Sequence, residues 1–164
     1  MTDFLIWPDK RLRTAAAPVE TIDDEVKAIW DRMIAAMDAM PGYGLAAVQL
    51  GIMRRLAVVD CSTQRGKAIR MANPEIIDTS SEMRSHEEAS PNLPGASAKI
   101  KRPNKVIVRY LSPAGVIDRA ELEGIWATSV QHQIDHLNGK MFFDRLSNVK
   151  RSMLLKKWEK RNAQ

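Results

Sequence analysis

Gln131-His132-Gln133-Ile134-Asp135-His136-Leu137-Asn138-Gly139 is the stretch on which the fold turns. Val130, Ile134 and Leu137 recur at helical spacing and Gly139 is a stop signal, so the pattern predicts a helix over 127–138. Residues four apart share one face of a helix, which puts the imidazoles of His132 and His136 within reach of a single metal ion. In the H-E-x-x-H pattern of metallohydrolases, the residue after the first histidine is a glutamate that accepts a proton from metal-bound water. Here that residue is Gln133, whose amide neither ionises nor takes up a proton near neutral pH. Two histidines at this spacing also fit a coincidence on a core or surface helix, so the rest of the chain must decide.

Outward from this helix, the chain reads as one domain over 1–164. Val26, Ile29, Trp30, Met33, Ile34 and Met37 predict a helix over 22–40, capped by Asp23 or Thr21 and ended by Pro41-Gly42. Strands are expected at 56–60, at 68–72 (closed by Asn73-Pro74), at 105–111 and at 116–122. The last two are joined by Ser112-Pro113-Ala114-Gly115. The polar segment 82–90 reads as an exposed strand or an extended loop. A final amphipathic helix is expected over 148–160, with Val149, Met153, Leu154 and Trp158 facing inward. Strands in the middle with helices around them give an α+β fold.

Composition narrows the class. At 164 residues with 45% hydrophobic and 27% charged residues, the chain is of ordinary globular make-up. Its apolar runs, such as 56–59, are too short to span a bilayer, and 1–8 lacks the pattern of a secretion signal. A lone cysteine, Cys61, rules out a disulfide framework and fits a reducing cytoplasm. Cys61 itself reads as a small apolar residue or a free thiol. The net charge is +5; from Lys150 onward Lys150, Arg151, Lys156, Lys157, Lys160 and Arg161 stand against Glu159 alone, so the tail holds the whole surplus. That tail is either a solvated helix face or a docking patch for an anionic partner such as RNA.

Three motifs then agree in order and spacing. Gly42-Tyr43-Gly44-Leu45-Ala46-Ala47-Val48-Gln49 resembles the G-x-G-L-A-A-x-Q motif of peptide deformylases. Glu88-Ala89-Ser90-Pro91-Asn92-Leu93-Pro94-Gly95 occupies the place of their E-G-C-L-S-x-P-G, and 131–139 is similar to their Q-H-E-x-D-H-L-x-G. Pro8-Asp9-Lys10-Arg11-Leu12-Arg13 and Phe143-Asp144-Arg145-Leu146 extend the match over nearly the whole chain. The resemblance implies a central helix with the metal histidines, enclosed by antiparallel strands, with helices at the two ends. It also implies removal of the formyl group from the initiator methionine of new polypeptides, by one Fe²⁺ (or Ni²⁺ or Zn²⁺) per chain held by two histidines and a cysteine. The implied partners are formylated peptide N-termini and the ribosome, the latter met by a C-terminal helix. No membrane or specific DNA is implied, and the oligomeric state is left open.

Carried over residue by residue, His132 and His136 match the histidine ligands. Gln49 matches the glutamine that bonds the formyl oxygen and the metal-bound water. Gly44 and Leu45 belong to the motif at the substrate-binding edge. Ser90 stands where the cysteine ligand belongs; a neutral hydroxyl is a poor replacement for a soft thiolate. Pro91 stands where a leucine N–H donates to the oxyanion, and proline has no N–H. Losing such a donor costs on the order of 3 kcal/mol in the transition state. Gln133 stands in place of the general base, a contribution of roughly 10²–10⁴ in rate. Tyr43, His86, Ile125 and Ser129 fall where the family lines its methionine pocket, and His86 and Ser129 make it more polar. Ser97 replaces an arginine beside the peptide-binding edge, while Arg102 is kept and can pair with Asp135. Glu88 and His86 share a strand face with Ser90 and are alternative partners for the histidines. The altered residues predict a deformylase-like protein with lost or reduced activity. A working deformylase is the alternative, and a dimer partner of an active paralogue is a third reading.

Overall fold

The structure is a computed structural model and describes residues 3–163. Helix α1 (Asp24–Ala39) starts where the Asp23 carboxylate accepts from the Val26 N–H, satisfying one of the orphan donors of its first turn. Val26, Trp30, Met33, Ala36 and Met37 form its buried stripe, and the Trp30 indole N–H donates to the Met71 carbonyl at 3.2 Å.

Seven strands follow: β1 (Gly44–Ala46), β2 (Leu56–Val59), β3 (Ile69–Thr79), β4 (Met83–Ala89), β5 (Ser97–Pro103), β6 (Lys105–Leu111) and β7 (Ile117–Glu123). They build a five-stranded antiparallel sheet in the order β1-β2-β3-β6-β7 and a separate β4-β5 pair. Helix α2 (Ile125–Leu137) lies in the middle, and every residue from Ala127 to Leu137 is buried. A helix covered on all sides is a core element, with its ends fixed by neighbours. At its C-terminal end Gly139 takes φ 76°, and a Cβ there would lie 2.8 Å from the Arg13 backbone, so only glycine fits. Helix α3 (Asn148–Asn162) closes the chain, started by the Ser147 hydroxyl, which accepts from the Lys150 N–H. The α+β architecture with helices at both ends agrees with the sequence reading.

The elements depart from expectation at β1, which is not read as a strand from the sequence, and in the regions of β3, β5 and α3. The strand expected to stop at Asn73-Pro74 runs on to Thr79, because β3 and β6 shift register between Ala72 and Glu75 and again between Ile76 and Asp78. Asn73 takes φ 51° and its amide is bound to both backbone groups of Val19, so the bulge absorbs the proline that would otherwise break the ladder. Strand β5 has no counterpart in the sequence reading, since it points Arg102, a charged residue, into the core beside Ile100. In α3, Val149 (69% exposed) and Met153 (67%) face solvent, contrary to expectation. Only the second half of α3 packs inward, through Trp158 with Leu154 and Leu155 against Leu93, Phe142 and Phe143.

Candidate functional site

The site forms where β1, the Ala47–Leu50 turn of 3₁₀ helix, β4 and α2 meet. Gly44 lets the strand touch the helix: a Cβ would fall 2.5 Å from Ser129 Oγ and 2.7 Å from Gln133 Nε2. The result is a cavity of about 470 Å³ lined by, among others, Tyr43, Gly44, Gln49, Ser90, Pro91, Ile125, Ser129, His132 and Gln133. Nine residues chosen from sequence thus come together around one space. Tyr43 is 55% exposed. Ser129 Oγ donates to the Tyr43 carbonyl at 2.9 Å.

His136 lies behind this wall. It is buried, and its Nε2 is 3.2 Å from Nε2 of His132. Leu45 and His86 are placed elsewhere. Leu45 is fully buried in the α1 core rather than on the cavity. His86 reaches the cavity only through Thr128, with its Nδ1 2.9 Å from Thr128 Oγ1; burial and the Arg84 charge hold its pKa below the ordinary value.

Behind α2 runs a chain of buried charge. Arg102 grips Glu88 with two bonds, Nε to Oε2 at 2.7 Å and Nη2 to Oε1 at 2.9 Å, and reaches Asp135 with Nη1 at 2.9 Å. Arg145 then holds Asp135 with bonds of 2.9 and 2.8 Å. Burial pushes the Glu88 carboxyl up, but hydrogen bonds from His132 and Arg102 outweigh it, so Glu88 stays below its usual pKa and ionised. Asp135 follows the same balance, with Arg145 and Arg102 overcoming its burial. Glu88 Oε1 also sits 2.9 Å from His132 Nδ1. A carboxylate only accepts, so His132 Nδ1 carries the proton of that bond, and Nε2 is the ring atom turned toward His136. Burial holds the His136 pKa far down, keeping its ring neutral.

The histidine pair has the geometry of a chelate. Two imidazole nitrogens at about 2.0–2.1 Å from a tetrahedral ion lie about 3.3–3.4 Å apart, close to the 3.2 Å seen here. The hydroxyl of Ser90, a neutral oxygen, shares the cavity with His132. Glu88 is turned to the Nδ1 side of His132 and tied to Arg102, and among the described residues no three His, Cys, Asp or Glu side chains gather around one point. Ser90 spends its hydroxyl on Asn92 Oδ1 at 2.9 Å. Gln49 Nε2 donates to Ser90 Oγ at 3.3 Å and to Asn92 Oδ1 at 2.8 Å, so both its hydrogens are committed. Among the described residues, two buried side-chain atoms have no hydrogen-bond partner: His136 Nδ1 and Gln133 Oε1.

Sequence reasoning does not single out Asn92 or Thr128. Asn92 has a signal in the chain, a bulky amide where the matching motif has a small serine. Thr128 has none.

The comparisons agree with this architecture. The family described as polypeptide deformylase matches residues 1–152. A peptide deformylase of Methylocella silvestris is 43% identical over 162 residues, covering 96% of this chain and 83% of that one. The crystal structure of a peptide deformylase from Legionella pneumophila superposes with a TM-score of 0.90 at 37% identity, covering 99% of this chain and 96% of the other. A peptide deformylase from Ehrlichia chaffeensis in complex with actinonin superposes with a TM-score of 0.90 at 33% identity, covering 98% and 97%. The fold, the helix with its histidine pair and the similarity over almost the whole length lead to one statement: this chain belongs to the polypeptide deformylase family.

Proposed function

We propose that this chain is a deformylase-like protein that holds peptide N-termini in the cavity between β1, β4 and α2 and has lost most formyl hydrolysis. The observation that carries this is the Ser90 hydroxyl, committed to Asn92 beside a histidine pair that has no anionic third donor. The family's members are metalloenzymes, and two neutral imidazoles with a hydroxyl compensate a dication poorly, so Fe²⁺ or Zn²⁺ is held weakly here. Gln133 cannot take the proton a base would take, and Pro91 offers no N–H. These defects belong to one unit and do not simply add. The cavity itself persists, and the Ehrlichia relative binds actinonin.

The test measures formate release from formyl-Met-Ala-Ser by protein purified without chelator and then loaded with Fe²⁺ or Zn²⁺. Negligible turnover with substoichiometric metal is expected. Turnover within about tenfold of an ordinary enzyme, near 10 s⁻¹, would establish the second reading, an active deformylase, which the identity to relatives of that name favours. Gln133→Glu alone should restore little, whereas Ser90→Cys, Pro91→Leu and Gln133→Glu together should restore more.

The setting we propose is the cytoplasm, where new N-termini emerge; among the described residues no helix is long and apolar enough to cross a membrane. Lys150, Lys156, Lys157 and Lys160 are exposed on α3, which supports docking on the ribosome. Co-sedimentation at low salt, lost at high salt and in Lys156→Glu with Lys157→Glu, is the expected result; no binding at low salt would reduce the tail to a solvated face.

A further inference from the structure

Asn92 is fully buried and every polar group of its side chain is spoken for. Its Nδ2 donates to the Leu5 carbonyl at 2.6 Å and to the Gln49 carbonyl at 3.1 Å. Carbonyls only accept, so the NH₂ end must face them, and the oxygen end faces the site. There Oδ1 accepts from Gln49 Nε2 at 2.8 Å and from Ser90 Oγ at 2.9 Å. The orientation of Gln49 is fixed independently, since its own Oε1 accepts from the Ala46 N–H at 2.9 Å. The two amides therefore lock each other, and neither can be turned over without setting two acceptors or two donors face to face. The shortest contact at Ser90 Oγ is with the Asn92 Oδ1 lone pair at 2.9 Å, while the Asn92 N–H and Gln49 Nε2 approach it as donors from 3.3 Å each.

We propose that Asn92 is a positioning residue that makes position 90 a hydrogen-bond donor and so excludes an anionic metal ligand there. A hydroxyl or a protonated thiol satisfies Oδ1. A thiolate would hold its negative charge against that oxygen and leave Gln49 Nε2 as its one donor. The loss of the third ligand thus has two components, the exchange at position 90 and the amide that now suits the exchanged residue. The same amide occupies one Gln49 Nε2 hydrogen and Ser90 Oγ the other, away from any carbonyl in the cavity. This inference rests on the reading of His132 and His136 as the remnant of a metal site.

The experiment titrates the full-length protein and its variants with Co²⁺ and records the electronic spectrum, where thiolate ligation gives a charge-transfer band that imidazole alone does not. The unchanged chain, which contains Cys61, is the baseline. Ser90→Cys changes one oxygen to sulfur and should bind Co²⁺ weakly with no such band. Ser90→Cys with Asn92→Ser should show the band and bind at least tenfold more tightly. The band at full strength in Ser90→Cys alone overturns the proposal, as does its absence from a double variant that melts like the parent. Asn92→Ala removes the same oxygen and replaces Asn92→Ser if that variant does not fold. Efficient formyl-peptide hydrolysis by the unchanged chain would end the proposed function without altering these spectra, so the two failures are distinguishable.

Discussion

The two sides of α2 treat buried polarity in opposite ways. On the side of β5, Glu88, Arg102, Asp135 and Arg145 form a chain in which every carboxylate oxygen has a partner. On the other side, Gln133 Oε1 at the cavity and His136 Nδ1 behind its wall have none, and Ser90 is turned toward its neighbours. Charge explains the contrast. An uncompensated buried ion costs about 3–5 kcal/mol, so an ion network cannot lose one member alone. An unpaired neutral group costs about 1–3 kcal/mol, which a domain can absorb. The reactive face can therefore change while the frame behind it stays.

The largest effect should follow from breaking the frame. Arg102→Met leaves Glu88 and Asp135 buried without their shared cation, and urea unfolding should show a loss of about 3–5 kcal/mol. A loss below about 1 kcal/mol would show that the ion chain does not hold α2. The opposite sign is expected on the cavity side: Gln133 is 4% exposed and its Oε1 bonds to nothing, so Gln133→Leu should stabilise by about 1 kcal/mol. A destabilisation of that size would erase the contrast.

The smallest effect lies outside the frame, where Asp144 accepts from Arg13, Arg151 and the Met141 N–H. Burial raises the Asp144 carboxyl, but the Arg13 hydrogen bond and the other contacts more than offset it, leaving its pKa below 3.8. The unfolded chain binds this proton first on acidification, so the stabilisation is present above about pH 4 and fades as pH falls through the folded value. Because both arginines are more than a third exposed, Asp144→Asn should cost no more than about 1 kcal/mol at pH 7. Thermal melts from pH 7 to 2 should show that gap closing; a constant gap would mean packing rather than charge.

What the sequence made legible follows the same division. The periodicity of Val130, Ile134 and Leu137 located α2, and the spacing of three motifs brought Gln49, Ser90, Pro91, His132 and Gln133 to one cavity. Features that depend on a residue far along the chain stayed hidden. The pairing of Arg102 with Asp135 is expected from the sequence and is present, but Glu88 as its second partner is not expected, and a charge turned into the core is why β5 has no readable alternation. Asn73-Pro74 reads as a strand end because the bulge that accommodates it is set by β6 and Val19. Val149 and Met153 fit an inward stripe by period alone, but the packing of Trp158 sets the rotation of α3. Asn92 shows its role only once Leu5, Gln49 and Ser90 are seen around it.

The division into two sheets carries a consequence for self-association. Among the described residues, four strands have an edge without a neighbour: β1 and β7 in the larger sheet, β4 and β5 in the smaller. Such edges template the addition of further strands. Here β1 is three residues long, β4 carries Arg84 and Glu87, β5 carries Lys99 and Lys101, and β7 carries Asp118, Arg119, Glu121 and Glu123. A second copy approaching β4, β5 or β7 edge to edge meets charged side chains along the ladder, and β1 offers only three residues, which together resist continuous pairing into fibres.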